Sequence, residues 1–145
     1  MRPTRRAHSQ ALLAILVVAL GTGCSGASST PNEKVEPAVL EPINGTDLYR
    51  VLLTESAATR LDIQTVEVTE SDLGLTVPSA ALIVDPEGTF WVYTNPEPLA
   101  YERATVNPVR EDRGMAYFTN GPPSGTLVVV VGVPELYGAE TGVGK

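Results

Sequence analysis

Histidine and cysteine are almost missing from this sequence, which has one of each, His8 and Cys24, in 145 residues. A single cysteine cannot form an internal disulfide bond. His8 lies close to the N-terminus, in a segment with the features of a cleaved signal peptide. Serine–histidine and cysteine–histidine nucleophilic pairs, imidazole acid–base catalysis and zinc sites of histidine and cysteine are therefore excluded from the rest of the chain.

Basic residues are also scarce, with 10 Lys and Arg against 17 Asp and Glu. This balance disfavours nucleic acid, which is bound by neutralising phosphates, and electrostatic attachment to anionic lipid headgroups. The acidic residues are scattered, and neither a D-x-D-x-D-G calcium loop nor a carboxylate pair of the glycosidase kind stands out. We predict a protein that is not an enzyme, with no catalytic residue, no metal site, no cofactor and no nucleic-acid partner.

The first 23 residues have the three parts of a secretory signal peptide. Arginines occupy positions 2, 5 and 6, residues 11–20 form an unbroken apolar run, and residues 21–23 are small. As a helix the apolar run would be about 15 Å long, against about 30 Å for the hydrocarbon core of a bilayer. The segment is therefore suited to export and too short to span a membrane.

Cys24 directly follows this segment, and the stretch Leu20-Gly21-Thr22-Gly23-Cys24 resembles the lipobox of bacterial lipoproteins. The resemblance implies cleavage before Cys24, attachment of a diacylglycerol to its thiol and attachment of an acyl chain, such as palmitate, to its new amino group. One position departs from the pattern, because Gly21 stands where the lipobox usually has leucine. We predict a lipoprotein held on the extracytoplasmic face of the membrane, with the lipid bilayer as a partner through acylated Cys24.

Composition divides the remaining chain into a tether, a domain and a short tail. Residues 24–46 are rich in Ser, Pro, Glu and Ala and predict a flexible, lipid-anchored tether. Asn44-Gly45 within it predicts a turn. Residues 47–142 contain the regular patterns of a folded domain, and residues 143–145 form the tail. About 120 residues remain after cleavage, which suits one domain.

The pattern of the domain predicts a mainly β fold, a small antiparallel curved sheet or barrel-like domain, with one short helix. Thr54 is suited to cap a helix from Glu55 to Leu61, whose apolar stripe includes Ala57. Alternating residues separated by turn sequences predict strands near 75–84, 89–95, 99–107, 113–119 and 126–133. The last is apolar on both faces, as expected for a strand in the middle of the fold. The predicted core residues are Val77, Leu82, Val92, Val106, Val128 and Val130.

Four segments in order resemble the membrane-proximal part of periplasmic adaptor proteins, also called membrane fusion proteins, of efflux systems. They are "LTESAATRLDIQTVEV", "VPSAALIVDPEGTFWVY", "YERATVNPV" and "GPPSGTLVVVVGVPELYGAETG". The resemblance covers residues from about 52 to 142, and the ELYGAETG ending is its most specific part. It implies a role in transmembrane transport, with a membrane transporter as the protein partner.

The chain also departs from this family. Adaptors carry two lipoyl-like half-motifs around a long helical hairpin, and nothing between Cys24 and Val51 encodes them. Most of the adaptor's barrel domain is missing as well, because "IQTVEV" runs almost directly into "VPSAAL". If the resemblance reflects the family, we expect either a reduced accessory subunit or a remnant of an adaptor.

Tyr137 and Glu140, beyond the last predicted strand, are the candidate residues for an exposed protein contact. Aromatic residues are enriched at interfaces, so Trp91, Tyr93 and Tyr101 are either interface anchors or core residues. The alternative function is a stand-alone surface lipoprotein that binds a small ligand or a cell-wall component. Both functions leave a homo-oligomer open.

Overall fold

The computed structural model describes residues 36–142, apart from the side chain of Val109. The predicted signal peptide, Cys24, the first part of the predicted tether and the tail at 143–145 lie outside the described residues. The elements are, in chain order, β1 (Ala38–Pro42), β2 (Tyr49–Leu53), α1 (Glu55–Arg60), β3 (Gln64–Glu67), β4 (Thr69–Ser71), β5 (Gly74–Pro78), a 3₁₀ turn (Ser79–Ala81), β6 (Ile83–Val84), β7 (Phe90–Glu97), β8 (Ala100–Val106), β9 (Pro108–Asp112), β10 (Met115–Phe118), β11 (Leu127–Val131) and α2 (Val133–Thr141).

The strands lie in two antiparallel sheets. The larger sheet has seven strands in the order β1-β2-β8-β7-β11-β3, with β6 paired to β7. The smaller has four strands in the order β4-β5-β10-β9. Neither strand order closes on itself in the part of the chain that the structure describes. The predicted mainly β fold with antiparallel curved sheets is confirmed.

Two cores cover the two faces of the larger sheet. The helix-side core lies between this sheet and the two helices and contains Val51, Leu53, Ala57, Tyr93, Tyr101, Val129, Val133 and Leu136. The sheet-side core lies towards the smaller sheet and contains Val68, Val77, Ala81, Val92, Val106, Ala116, Phe118 and Val128. Val128 and Val129 are both fully buried, one in each core. The prediction that this strand is covered on both faces is confirmed.

The short helix α1 forms where its local signals predict it. Thr54 accepts a hydrogen bond from the backbone N–H of Ala57 through its side-chain oxygen (3.1 Å), which caps the first turn. Glu55 lies in the first turn and Arg60 in the last, which suits the helix dipole. Ala57 is buried in the helix-side core. Packing therefore stabilises a helix that is too short to form alone.

Four of the six predicted core residues are buried, namely Val77, Val92, Val106 and Val128. Leu82 and Val130 are only partly buried and pack at the margin of the sheet-side core. Val130 lies where the register between β11 and β3 shifts, between Val129 and Val131. Leu82 follows the 3₁₀ turn rather than continuing a strand, so its side chain is displaced from the core.

Some boundaries differ from the prediction. Ala38–Pro42, expected in the flexible tether, forms β1, because β2 supplies a paired strand through the predicted turn at Asn44-Gly45. The strand expected at 75–84 is broken by the 3₁₀ turn after Pro78. The strand expected near 113–119 is present as β10 but begins at Met115, because Arg113 and Gly114 have positive φ angles of 49° and 78° and form the turn from β9, a strand that was not predicted.

A second helix, α2, follows β11 where the sequence analysis expected the end of a strand and an exposed segment. Gly132 makes the transition with a φ of 89°, and Pro134 lies in the first turn, where its missing N–H has no cost. Val133, Leu136 and Glu140 are buried, so this helix covers part of the larger sheet.

Candidate functional site

An apolar groove lies between β1, α1 and α2 and is here called the helix groove. Its volume is about 600 Å³ and it is open to solvent. Its apolar walls come from residues that are distant in the sequence: Pro37, Ala38, Leu40, Leu53, Ala57, Leu61, Pro134, Gly138 and Ala139. Leu53 and Ala57 belong to the helix-side core, so the floor of the groove is continuous with that core.

Charged residues in the helix groove are confined to its rim. Glu36, Arg60 and Glu135 line the groove and are all exposed. Because the rim has two carboxylates and one guanidinium, its net charge is negative. The interior of the groove thus offers an apolar contact surface without inward polar side chains, and its rim favours a basic group over an acidic one.

A buried polar cluster behind α2 holds this helix on the sheet. The carboxylate of Glu140 accepts a hydrogen bond from the hydroxyl of Tyr93 (Oη to Oε2, 2.5 Å) and one from the backbone N–H of Tyr49 (N to Oε1, 3.3 Å). The pKa of Tyr93 is raised above its ordinary value of 10.0, mainly because the hydroxyl is buried. The hydrogen bond to Glu140 and the negative charge of Glu140 raise it further. Tyr93 therefore stays protonated and donates to Glu140 at neutral pH.

Arg103 supplies the positive charge of this cluster. Its Nε atom lies 2.8 Å from Oε2 of Glu140, and the two side chains are only 11% and 1% exposed. The N–H of Nε is not directed at an acceptor, so charge attraction rather than an aligned hydrogen bond joins the pair. The guanidinium carbon also lies 4.7 Å from the ring centre of Trp91 and 5.4 Å from that of Tyr137. These cation–π contacts fix the side chain between two aromatic rings.

Asp85 contacts the indole N–H of Trp91. Its carboxylate accepts hydrogen bonds from the indole N–H of Trp91 (2.8 Å) and from the backbone N–H of Thr89 (2.8 Å). The hydrogen bond from Trp91 is the largest cause that lowers the pKa of Asp85. Asp85 thus orients the ring against which Arg103 stacks.

The predicted exposure of Glu140 is wrong. This side chain is buried, because α2 turns it towards the sheet, where Tyr93 and Arg103 satisfy its charge. Tyr137 is partly exposed and lies beside Arg103, and its contact with another protein stays a prediction. The structure therefore brings both predicted residues together around Arg103, with Glu140 in an intramolecular role.

The open question about the aromatic residues is answered for two of them. Tyr93 and Tyr101 are 0% and 4% exposed and belong to the helix-side core, so neither is an interface anchor. Trp91 is partly buried, its ring contacts the guanidinium of Arg103, and its indole N–H donates to Asp85. The polar ends of Tyr93 and Trp91 donate to carboxylates within the fold.

Sequence reasoning missed the walls of the helix groove, although one signal for them was present. Gly132 and Gly142 flank a segment with Pro134 and Glu135 at its start, which is the pattern of helix start and stop residues. Val133, Leu136 and Glu140 are spaced by three and four residues, which gives them one helical face. This pattern predicts α2 and hence one wall of the groove. The β1 wall has no comparable local signal.

Residues 36–142 contain neither a metal-binding cluster nor a helix able to span a membrane. No group of three or more His, Cys, Asp and Glu side chains lies close enough together to hold a metal ion. None of the helices formed by these residues has the length and hydropathy needed to cross a bilayer.

Comparison with known proteins gives no relative. No protein-family model, curated protein or solved structure matches this chain. The similarity to periplasmic adaptors therefore rests on the four sequence segments alone.

Proposed function

We propose that this protein is a lipid-anchored, non-catalytic docking domain that binds a membrane transporter at the extracytoplasmic face of the membrane. The open, apolar helix groove is the observation that carries the proposal. A groove of about 600 Å³ with apolar walls is suited to receive side chains of another protein. The four adaptor-like segments indicate the class of partner, an efflux transporter.

The lipid anchor adds to this proposal through effective concentration. Acylated Cys24 would hold the domain next to the membrane, and 11 residues separate Cys24 from Glu36 at the rim of the groove. If these residues form the tether that their composition predicts, they would reach roughly 20 Å. Confinement within that distance raises the local concentration of the domain at a transporter's surface, so modest contacts suffice for binding.

The second candidate function is binding of a small apolar ligand in the same groove, and its volume supports this alternative. Small-molecule sites usually combine apolar walls with a few polar groups that orient the ligand. The polar side chains lining the helix groove are Glu36, Arg60 and Glu135, all exposed at its rim. We therefore place protein docking before ligand binding.

Gene deletion and, separately, Cys24→Ser test the proposed function in the native organism. Efflux of transported compounds should fall in both strains, because docking needs both the domain and its anchor. Mass spectrometry of the wild-type membrane fraction should find acyl chains on an N-terminal Cys24. Unchanged transport in the deletion strain, with an apolar ligand retained on the purified protein, would favour the ligand-binding function instead.

A further inference from the structure

One edge of β1 is not paired with another strand of the described residues. Two hydrogen bonds show which backbone N–H and C=O groups of β1 face this edge. In the described residues β1 pairs only with β2. The N–H of Thr54 donates to the carbonyl of Pro37 (3.1 Å), which makes this a hydrogen-bonded pair. Hydrogen-bonded and non-hydrogen-bonded pairs alternate along an antiparallel ladder. The N–H and C=O groups of Ala38 and Leu40 therefore point away from β2, towards the free edge.

The neighbouring strand supports this assignment. Leu53, which lies opposite Ala38, donates its N–H to the carbonyl of Leu99 on the side away from β1 (2.9 Å). The pair of Ala38 and Leu53 is thus a non-hydrogen-bonded one, as the alternation requires.

The free edge and the helix groove meet at the same two residues. Ala38 and Leu40 pack against the helix-side core and line the groove, whereas Val39 between them is 51% exposed. A further strand would lie about 4.8 Å from β1. Alternate side chains of that strand would then point over the groove, next to Ala38 and Leu40.

Two occupants from this chain itself fit the site poorly. Residues 25–34, SGASSTPNEK, contain no large aliphatic or aromatic side chain with which to fill an apolar groove. A second copy of β1 that turned its own Ala38 and Leu40 to the groove would add its Glu36 to a rim that already contains Glu36 and Glu135. Like charges disfavour this pairing.

We propose that an extended segment of the partner transporter adds to the free edge of β1, with apolar side chains at alternate positions in the helix groove and a basic residue beside Glu36. This inference rests on the proposed function and identifies the partner segment. The segment is short, because Pro42 has no N–H and ends the ladder that Ala38 and Leu40 offer. Main-chain hydrogen bonds supply affinity, and the groove selects the side chains.

Photo-crosslinking of the full-length, membrane-bound protein tests this proposal. A benzophenone amino acid is placed at Arg60, on the rim of the helix groove, and in a second strain at Val84, which is 49% exposed and does not line the groove. We expect transporter adducts from position 60 at several times the yield from position 84. Fragmentation of the adduct should identify a segment with alternating apolar residues and a Lys or Arg.

Variants of the edge separate backbone pairing from other contacts. Ala38→Pro removes an N–H that faces the free edge and leaves the ladder to β2 intact. Ala38→Ser retains this N–H. The adduct yield should fall roughly fivefold or more in Ala38→Pro, the effect of one lost hydrogen bond, and less than about twofold in Ala38→Ser. Unchanged thermal unfolding of the purified variants shows that the fold is retained.

Two charge variants test the rim of the groove. A further variant, which fills the groove, tests its occupation without introducing a proline into β1. Glu36→Lys should lower the yield about threefold, whereas Glu41→Lys, on the face of β1 away from the groove, should not. Ala139→Trp fills the groove and should abolish the adduct, whereas Thr141→Trp, on an exposed part of α2, should not.

The outcomes distinguish failure of this inference from failure of the proposed function. Transporter adducts from position 84 but not from position 60 would overturn the strand-addition site and leave docking intact. Adducts from position 60 to residues 25–34 or to a second copy would overturn the assigned occupant. The absence of transporter adducts from both positions would contradict the proposed function itself. Equal yields from Ala38→Pro and Ala38→Ser would refute backbone pairing.

Discussion

Removal of the Glu140 carboxylate should cost far more stability than removal of an equally close but exposed carboxylate. The pairs Arg103–Glu140 and Arg110–Asp112 have the same N···O distance of 2.8 Å. Their exposure differs, with 11% and 1% for the first pair and 56% and 40% for the second. Glu140→Ala leaves Arg103 without its directly paired carboxylate and the hydroxyl of Tyr93 without an acceptor in the protein interior. We expect a loss of about 3–5 kcal/mol.

Asp112→Ala is the matched control and should cost less than about 1 kcal/mol, because water solvates both partners. Glu140→Gln keeps an oxygen acceptor for Tyr93 but removes the charge, so its effect should lie between the two alanine variants. Urea unfolding of the purified proteins measures all three, with the fluorescence of Trp91, the only tryptophan, as the signal. A loss for Glu140→Ala within about 0.5 kcal/mol of that for Asp112→Ala would refute this reasoning.

Three further predictions concern the fold around this cluster. Val128→Ala and Val129→Ala should each lower the free energy of unfolding by about 2–3 kcal/mol in urea titrations, because the two side chains are fully buried in different cores; a neutral result for either would show that its face of β11 is not covered. The free energy of unfolding should fall as the pH rises above about 10, because unfolded tyrosine then loses its proton whereas Tyr93, with its raised pKa, retains it; Tyr93→Phe should flatten this slope. Gly132→Ala should lower the thermal midpoint, because this residue has a φ of 89° and an added Cβ would lie 2.1 Å from Cδ1 of Ile63; an unchanged midpoint would contradict the assigned conformation.

The elements predicted correctly are those whose signals lie within a few residues. Thr54 and Glu55 mark the start of α1, and residues 127–131 have the continuous apolar pattern of a strand with two covered faces. β1 lacks such a signal. Its stretch of Glu, Pro and Ala is typical of a tether, and it becomes a strand because β2 pairs with it. Composition alone does not describe this tertiary pairing.

The difference between local signals and contacts made across the fold also explains why the sequence did not predict the burial of Glu140 or the helix groove. A glutamate near the end of a chain is usually solvated, and its burial depends on Arg103 and Tyr93 from strands that are distant in sequence. The helix groove likewise exists only where β1, α1 and α2 meet. Sequence patterns predict the elements, whereas the site arises from contacts between them.

Co-purification from detergent-solubilised native membranes tests the central claim, that this protein docks on a membrane transporter, most directly. A transporter should be recovered with the affinity-tagged wild-type protein and with Thr141→Trp. With Ala139→Trp, whose side chain fills the helix groove, the amount of recovered transporter should be at least about tenfold lower. Recovery of no transporter with any of the three proteins would contradict the claim. Equal recovery with all three would show that docking does not use the groove.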